Sequence, residues 1–204
     1  MNEQFLQFQQ FLAPYGLTGA DFNQLIQSCE MVHFPKGEII IRTGIKQNHI
    51  YFICKGLVRN YVFTDEGEIK TYGFRMENMT STGYANYNYK EDLKAKVSVE
   101  CLEPCEMIKI PISAIFSMVE SSKVADKVGR FLAEIHVMEL VDFIIDADTK
   151  SLLDRYNNLD TKFPNIHQRV PQHIIASYLR TTPVHLSRVK NATRKSLTNV
   201  NILR

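Results

Sequence analysis

Apolar residues change their spacing three times along this chain. Between residues 3 and 29 they recur with a helical period, at Phe5, Phe8 and Leu12 and then at Phe22, Leu25 and Ile26. The run from Thr18 to Asp21 offers N-cap chemistry for the second of these helices. From Met31 the period shortens. "MVHF", "EIII", "IYFIC", "LVRNYVF" and "EIKTYGF" are short runs rich in β-branched and aromatic residues. Turn signals divide them at 35–37, Gly44, 55–56 and 65–67. Two further strands are predicted at 96–101 and 105–110. The polar, tyrosine-rich stretch 75–93 reads as a loop. Short strands separated by glycine turns predict an antiparallel roll or barrel.

After Pro111 the helical period returns. From Lys123 to Ala147 there is no proline, and Gly129 is the sole glycine. Val124, Phe131, Met138 and Ile145 recur every seven residues, with Val128 and Ile135 at the intervening d positions. Asp142 breaks the seam at the last d. A second stripe, Leu132, Leu140, Phe143 and Ile144, is also apolar. A helix with two apolar faces needs two neighbours: the β-domain and a second copy of the chain. Val124, Val128, Phe131, Ile135 and Met138 are the expected dimer contacts.

The last periodic stretch, "VPQHIIASYLRTTPVHLSRV" from Val170 to Val189, is two short helices about a corner at Thr181, Thr182 and Pro183. Pro171 suits a first helical turn, where its missing N–H costs nothing. Ile174, Ile175 and Tyr178 are spaced to pack inward, and Ala176 lets another helix cross closely. Thr182 and Pro183 read as N-cap and first residue of the next helix. Leu186 and Val189 then turn inward, which leaves Val184, His185, Ser187, Arg188 and Asn191 outside. That is the pattern of a helix-turn-helix.

Charge sharpens this reading. From Thr161 to Arg204 there are eight basic residues and no acidic one, whereas residues 1–160 hold 16 basic and 22 acidic groups. A tail free of carboxylates suits a polyanionic duplex. With 45% hydrophobic and 23% charged residues the chain has the balance of a soluble globular protein. No apolar run is long enough for a membrane span, and "MNEQFLQFQQ" does not resemble a signal peptide, so a cytoplasmic protein is expected. Cys29, Cys54, Cys101 and Cys105 are too scattered for an iron–sulfur site and read as ordinary thiols. No metal or other cofactor is expected. His33 and His49, with no H-x-H pair, do not make the ligand set of a metal enzyme on a cupin-like barrel, so the chain is not read as an enzyme.

Three motifs in order, "FPKGEIIIRTG" followed by "IYFICKGLVRNYVFTDEGEIKTYGF", the 123–147 helix and "PQHIIASYLRTTPVHLSRV", resemble the Crp/Fnr family of bacterial transcription regulators over nearly the whole chain. The resemblance implies an α+β fold. It comprises an N-terminal cyclic-nucleotide-binding-type antiparallel β-roll (1–122), a long dimerisation helix (123–147) and a C-terminal winged helix-turn-helix (148–204). It implies a homodimer on a palindromic double-stranded DNA operator, with RNA polymerase as a further partner. Carried over by position, Pro183, Val184 and Arg188 occupy the places where the family's recognition helix meets bases, and Arg188 is the matching basic one; Thr182, His185, Ser187, Asn191 and Lys195 complete the expected DNA-facing residues. Arg180 stands where the family commonly has glycine. An arginine forced there to positive φ costs on the order of 1 kcal/mol, and its side chain is placed to meet a phosphate.

The effector pocket departs from the family. Relatives that bind cyclic AMP use a Gly-Glu pair and an Arg-Ser/Thr pair. Here Ala95 and Lys96 stand in place of the second pair, and "MTSTGYAN" contains no Gly-Glu. Binding of cyclic AMP or cyclic GMP is therefore not expected. His33, His49 and His136 form no haem-binding arrangement. Tyr72, Lys94 and Lys96 are the candidates left for an altered effector site, and Tyr84, Tyr87 and Tyr89 line or cap the roll. The competing reading is a nucleotide-responsive or small-molecule module acting through protein contacts, against which the acid-free tail argues.

Overall fold

A computed structural model describes residues 2–17, 19–85 and 94–191. Two short helices open the chain, α1 (Glu3–Leu12) and α2 (Gly19–Ile26). Among the described residues eight strands follow: β1 (Glu30–Phe34), β2 (Ile39–Ile41), β3 (His49–Lys55), β4 (Val58–Phe63), β5 (Ile69–Arg75), β6 (Thr80–Ser81), β7 (Ser98–Cys101) and β8 (Cys105–Pro111). They form two four-stranded sheets, in the orders β1-β8-β3-β6 and β2-β7-β4-β5. The pairings are antiparallel, with Phe52 opposite Ile108 in one sheet and Asn60 opposite Val99 in the other. The predicted roll is therefore present. The sequence missed β6, a two-residue strand inside the stretch read as loop, because Thr80 and Ser81 carry no apolar alternation.

Strand β3 explains why "IYFIC" is continuously apolar. Tyr51 to Cys54 are all buried, and the pleat sends them to opposite faces. Tyr51 and Ile53 join Val99, Cys101, Cys105 and Met107 in a core between the sheets. Phe52 and Cys54 turn the other way and, with Ile108 and Ile110, meet Phe8, Leu12, Phe22 and Leu25 of the N-terminal helices. The Phe8 and Phe52 rings lie 4.8 Å apart between centroids, within the range of favourable aromatic pairs. At Gly56 (φ 111°) a Cβ would fall 2.6 Å from Cys105 Sγ and 2.9 Å from its Cα, so glycine is required both for conformation and for space.

Past the roll come α3 (Ile112–Ser121) and the long α4 (Lys123–Thr149), separated by one extended residue, Ser122. Its hydroxyl accepts from the Ala125 N–H at 3.3 Å and donates to Asp21 at 3.0 Å, which caps α4 and ties it to α2. Ala125 and Val128 lie in the helical core. Val128, expected at a dimer seam, is thus committed to its own chain at 3% exposure. Further along the same seam the apolar side chains are uncovered: Phe131 is 50% exposed, Ile135 39%, Met138 57% and Ile145 50%.

Five short helices follow: α5 (Leu152–Asn157), α6 (Leu159–Lys162), α7 (Ile166–Arg169), α8 (Gln172–Tyr178) and α9, described over 183–191. Their core holds Leu159, Phe163, Ile166, Ile174, Ile175, Ala176, Tyr178 and Leu186, all buried. The chain divides into two compact units, 1–62 with 72–139 and 63–71 with 140–204. Helix α4 has residues in both units. In the second unit the Ser177 hydroxyl accepts from the Thr71 N–H at 2.9 Å and donates to the Ile69 carbonyl at 3.2 Å. None of the described helices is long and apolar enough to cross a membrane.

Candidate functional site

The corner between α8 and α9 is built by backbone hydrogen bonds. The Thr181 N–H donates to the Ala176 carbonyl at 2.9 Å and the Arg180 N–H to the Ser177 carbonyl at 3.1 Å. This two-bond pattern ends a helix on a left-handed residue. That residue is Arg180, at φ 55°. A non-glycine residue there costs on the order of 1–2 kcal/mol. The side chain recovers part of it, since the guanidinium sits 4.8 Å from the centre of the Phe143 ring. Arg180 is exposed, with its guanidinium over the Phe143 ring. Pro171 takes the N-cap of α8, one residue earlier than expected. At the start of α9 the Thr182 hydroxyl accepts from the His185 N–H at 3.2 Å, the predicted cap.

Helix α9 buries Leu186 completely and half-buries Val189 and Lys190. The Lys190 ammonium lies 4.7 Å from the centre of the Tyr156 ring. Thr182, Val184, His185, Arg188 and Asn191 are exposed, Val184 at 61%, and Ser187 is half-buried. Of the residues expected to face outward, Val184 lies on the first turn of α9 and Arg188 on the second. Lys195 and the wing lie outside the described residues.

The candidate effector residues of the roll lie at its surface. Tyr72, Lys94 and Lys96 are all exposed. The lysines flank Ala95, which is 2% exposed, and Tyr72 in β5 follows the buried Thr71, as the pleat of that strand requires. Around Ala95 the interior is closed. A Cβ on Gly83 would fall 2.6 Å from Gln47 Oε1, 2.7 Å from Ala95 Cβ and 2.8 Å from Ile41 Cγ2. The Gln47 amide is itself occupied, donating to the His49 carbonyl at 2.8 Å and accepting from the Gly83 N–H at 3.0 Å.

Sequence reasoning missed the roll's buried cation, Arg75. It is 6% exposed and forms an ion pair with Glu139 of α4 at 2.8 Å. It also donates to the Tyr84 hydroxyl at 3.0 Å and to the Phe74 carbonyl at 3.0 Å. Tyr84 is held at φ 54°, and its ring meets His136 nearly perpendicularly. Burial, reinforced by the Arg75 charge, pushes the His136 pKa below its ordinary value, against a smaller opposing pull from Glu139. Only the non-local fold could reveal this cluster, since its members come from β5, the segment after β6, and α4.

The thiols are Cys54, Cys101 and Cys105, buried, and Cys29, half-buried. Burial pushes Cys29 up to about 12 and Cys54 to about 11. Cys101 is raised, first by its hydrogen bond to Cys105 and then by burial, while the same bond lowers Cys105. Among the described residues no group of three or more His, Cys, Asp or Glu is placed to hold a metal.

The comparisons with known proteins agree with this geometry. Residues 31–122 match the cyclic nucleotide-binding domain family. No curated protein matches the chain. Among solved structures it is similar to a protein from Eubacterium rectale described as a transcriptional regulator of the Crp/Fnr family. That match has a TM-score of 0.71 and 17% identity, and covers 91% of this chain and 87% of that one. FixK2 from Bradyrhizobium japonicum aligns with a TM-score of 0.69 at 13% identity, covering 82% of this chain and 85% of FixK2. The c-di-GMP-responsive global regulator CLP of Xanthomonas campestris aligns at 0.66 and 14% identity, covering 86% and 91%. Residues 31–122 thus resemble the cyclic nucleotide-binding domain family, and the chain that carries them has the fold of the Crp/Fnr transcription regulators.

Proposed function

We propose that this protein is a dimeric, sequence-specific DNA-binding transcription regulator whose roll works without a cyclic nucleotide. The observation that carries the reading is the α8–α9 corner: a left-handed Arg180, a Thr182 cap, a buried Leu186, and Val184, His185 and Arg188 exposed on the first turns of α9. A capped helix with its outer N-terminal face free suits insertion into a major groove. The guanidinium fork of Arg188 matches the two acceptors on a guanine edge. The acid-free tail supports attraction to the duplex, and the bare apolar stripe of α4 supports pairing with a second copy.

Two features support independence from cyclic nucleotides. The position of the phosphate-binding arginine is Ala95 in a filled interior. The buried Arg75 already has an internal carboxylate, Glu139, on the helix. That contact supplies from within the chain the negative charge that a ligand would otherwise bring to the roll.

The test is selection of bound DNA from a random pool with the natural chain and with Arg188→Ala. The natural chain should select a palindrome with half-sites about one helical turn, roughly 34 Å, apart. The variant should relax one base pair per half-site, at a cost of about 1–3 kcal/mol each. An unchanged motif with uniformly weaker binding would move base reading away from Arg188. Failure to enrich any motif would remove the sequence-specific reading.

A further inference from the structure

A cavity of about 270 Å³ opens where β2 meets the loop leading into β3. It shares no residue with the Arg75 cluster. Among the described residues its wall carries two cations, Arg42 and Lys46, and no carboxylate, while Ile39, Ile41 and Ile45 supply apolar surface. Lys94 pairs with Lys46 across an isolated antiparallel bridge, which brings a third positive charge to the rim. Like charges directly opposite one another destabilise a strand pair. Arg42, Lys46 and Lys94 are exposed and have no ion pair among the described residues. Ile45, beside Lys46, is 61% exposed, so an apolar side chain stands uncovered among the cations.

The loop is rigidly fastened. The Thr43 N–H donates to Ser98 Oγ at 3.0 Å, the Gly44 N–H to the Ala95 carbonyl at 2.8 Å, and the Ala95 N–H to the Ile45 carbonyl at 3.0 Å. Gln47, at the cavity floor, is 5% exposed and hydrogen-bonded at both ends of its amide. A ligand would therefore meet a preformed surface and lose little to ordering it.

We propose that this cavity binds a small organic anion, its phosphate or carboxylate held by Arg42 and Lys46 and its apolar body lying on Ile41 and Ile45. The fork of Arg42 suits either anionic group, and a bound anion would relieve the repulsion between Lys46 and Lys94. The site stands whether or not α9 reads DNA.

The experiment uses the full chain and three probes in ligand-observed NMR: phenyl phosphate, inorganic phosphate and phenol. Phenyl phosphate should bind at least about tenfold more tightly than either half alone, equivalent to about 1.4 kcal/mol. Lys46→Glu and Arg42→Glu should each weaken it about tenfold or more. Ile45→Asp should reduce it to the affinity of inorganic phosphate. Lys36→Glu, an exposed lysine outside the cavity, should leave binding unchanged, and circular dichroism checks that each variant is folded. The proposal is overturned if phenyl phosphate does not saturate in the millimolar range, if inorganic phosphate binds as tightly, or if Lys36→Glu and Lys46→Glu weaken binding equally.

Discussion

Replacing Arg180 with glycine and, separately, with alanine resolves two opposing contributions at the α8–α9 corner. The backbone there is at φ 55°, which favours glycine by on the order of 1–2 kcal/mol. The side chain gives something back through the Phe143 ring, 4.8 Å away, worth about 0.5–1 kcal/mol at an exposed site. Alanine loses the ring contact and keeps the strained backbone, so it should destabilise by about 0.5–1 kcal/mol. Glycine loses the same contact and relieves the strain, but its unfolded chain is more flexible by about 0.4–1 kcal/mol. Its net effect should lie near zero. The two variants should differ by about 1 kcal/mol in favour of glycine, or roughly 2–4 °C in Tm for a chain of this size. Urea denaturation and thermal melting followed by circular dichroism read this difference. A glycine variant that melts at or below the alanine variant would mean that the left-handed corner is not strained, and the account of the turn would fall.

Ile135→Lys places an ammonium in the bare stripe of α4, and sedimentation at micromolar concentration should show monomers or aggregates where the natural chain sediments as a dimer. A variant that stays dimeric puts the interface elsewhere. Calorimetry should detect no binding of cyclic AMP or cyclic GMP at a dissociation constant near 10 µM, about −7 kcal/mol, because Ala95 offers the phosphate no cation; a tighter value would overturn the pocket reading. The His136 pKa is lowered by burial from 6.5, so above pH 6.5 the folded and unfolded chains are both neutral there. Below it the unfolded chain takes up a proton that the folded chain resists, and stability should fall as pH drops. His136→Gln should make the loss between about pH 7 and pH 5 shallower; an unchanged slope would show that His136 titrates alike in both states.

The readable parts of this protein are those whose signal is local. Strand β4 and strand β8 announce themselves by composition and alternation, and the turns by glycine. The α8–α9 pair is legible because a short helix-turn-helix has its apolar positions, its cap and its left-handed corner within about twenty consecutive residues. The candidate recognition face follows from the same spacing, which is why the exposed positions from Thr182 to Asn191 could be named in advance. The charge division between the first 160 residues and the tail is likewise a property of the sequence alone.

The tertiary structure decided what the local pattern leaves open. A heptad seam on α4 gives Val128 and Ile135 the same standing, yet Val128 is 3% exposed and Ile135 39%, because Val128 packs into the core formed with α1, α2 and the roll and Ile135 does not. A period of seven records that a face is apolar, not which neighbour covers it. Lys94 and Lys96 are alike in sequence to any lysine near a pocket, and only the structure shows that Ala95 between them is buried while both lysines stand at the surface. Arg75 and Glu139 are ordinary charged residues in sequence. Their pairing exists because β5 and α4 come together after the chain has run through three more strands and a helix. A buried ion pair depends on which segments end up in contact, and that is fixed by the packing of the whole core, not by the spacing of residues along the chain.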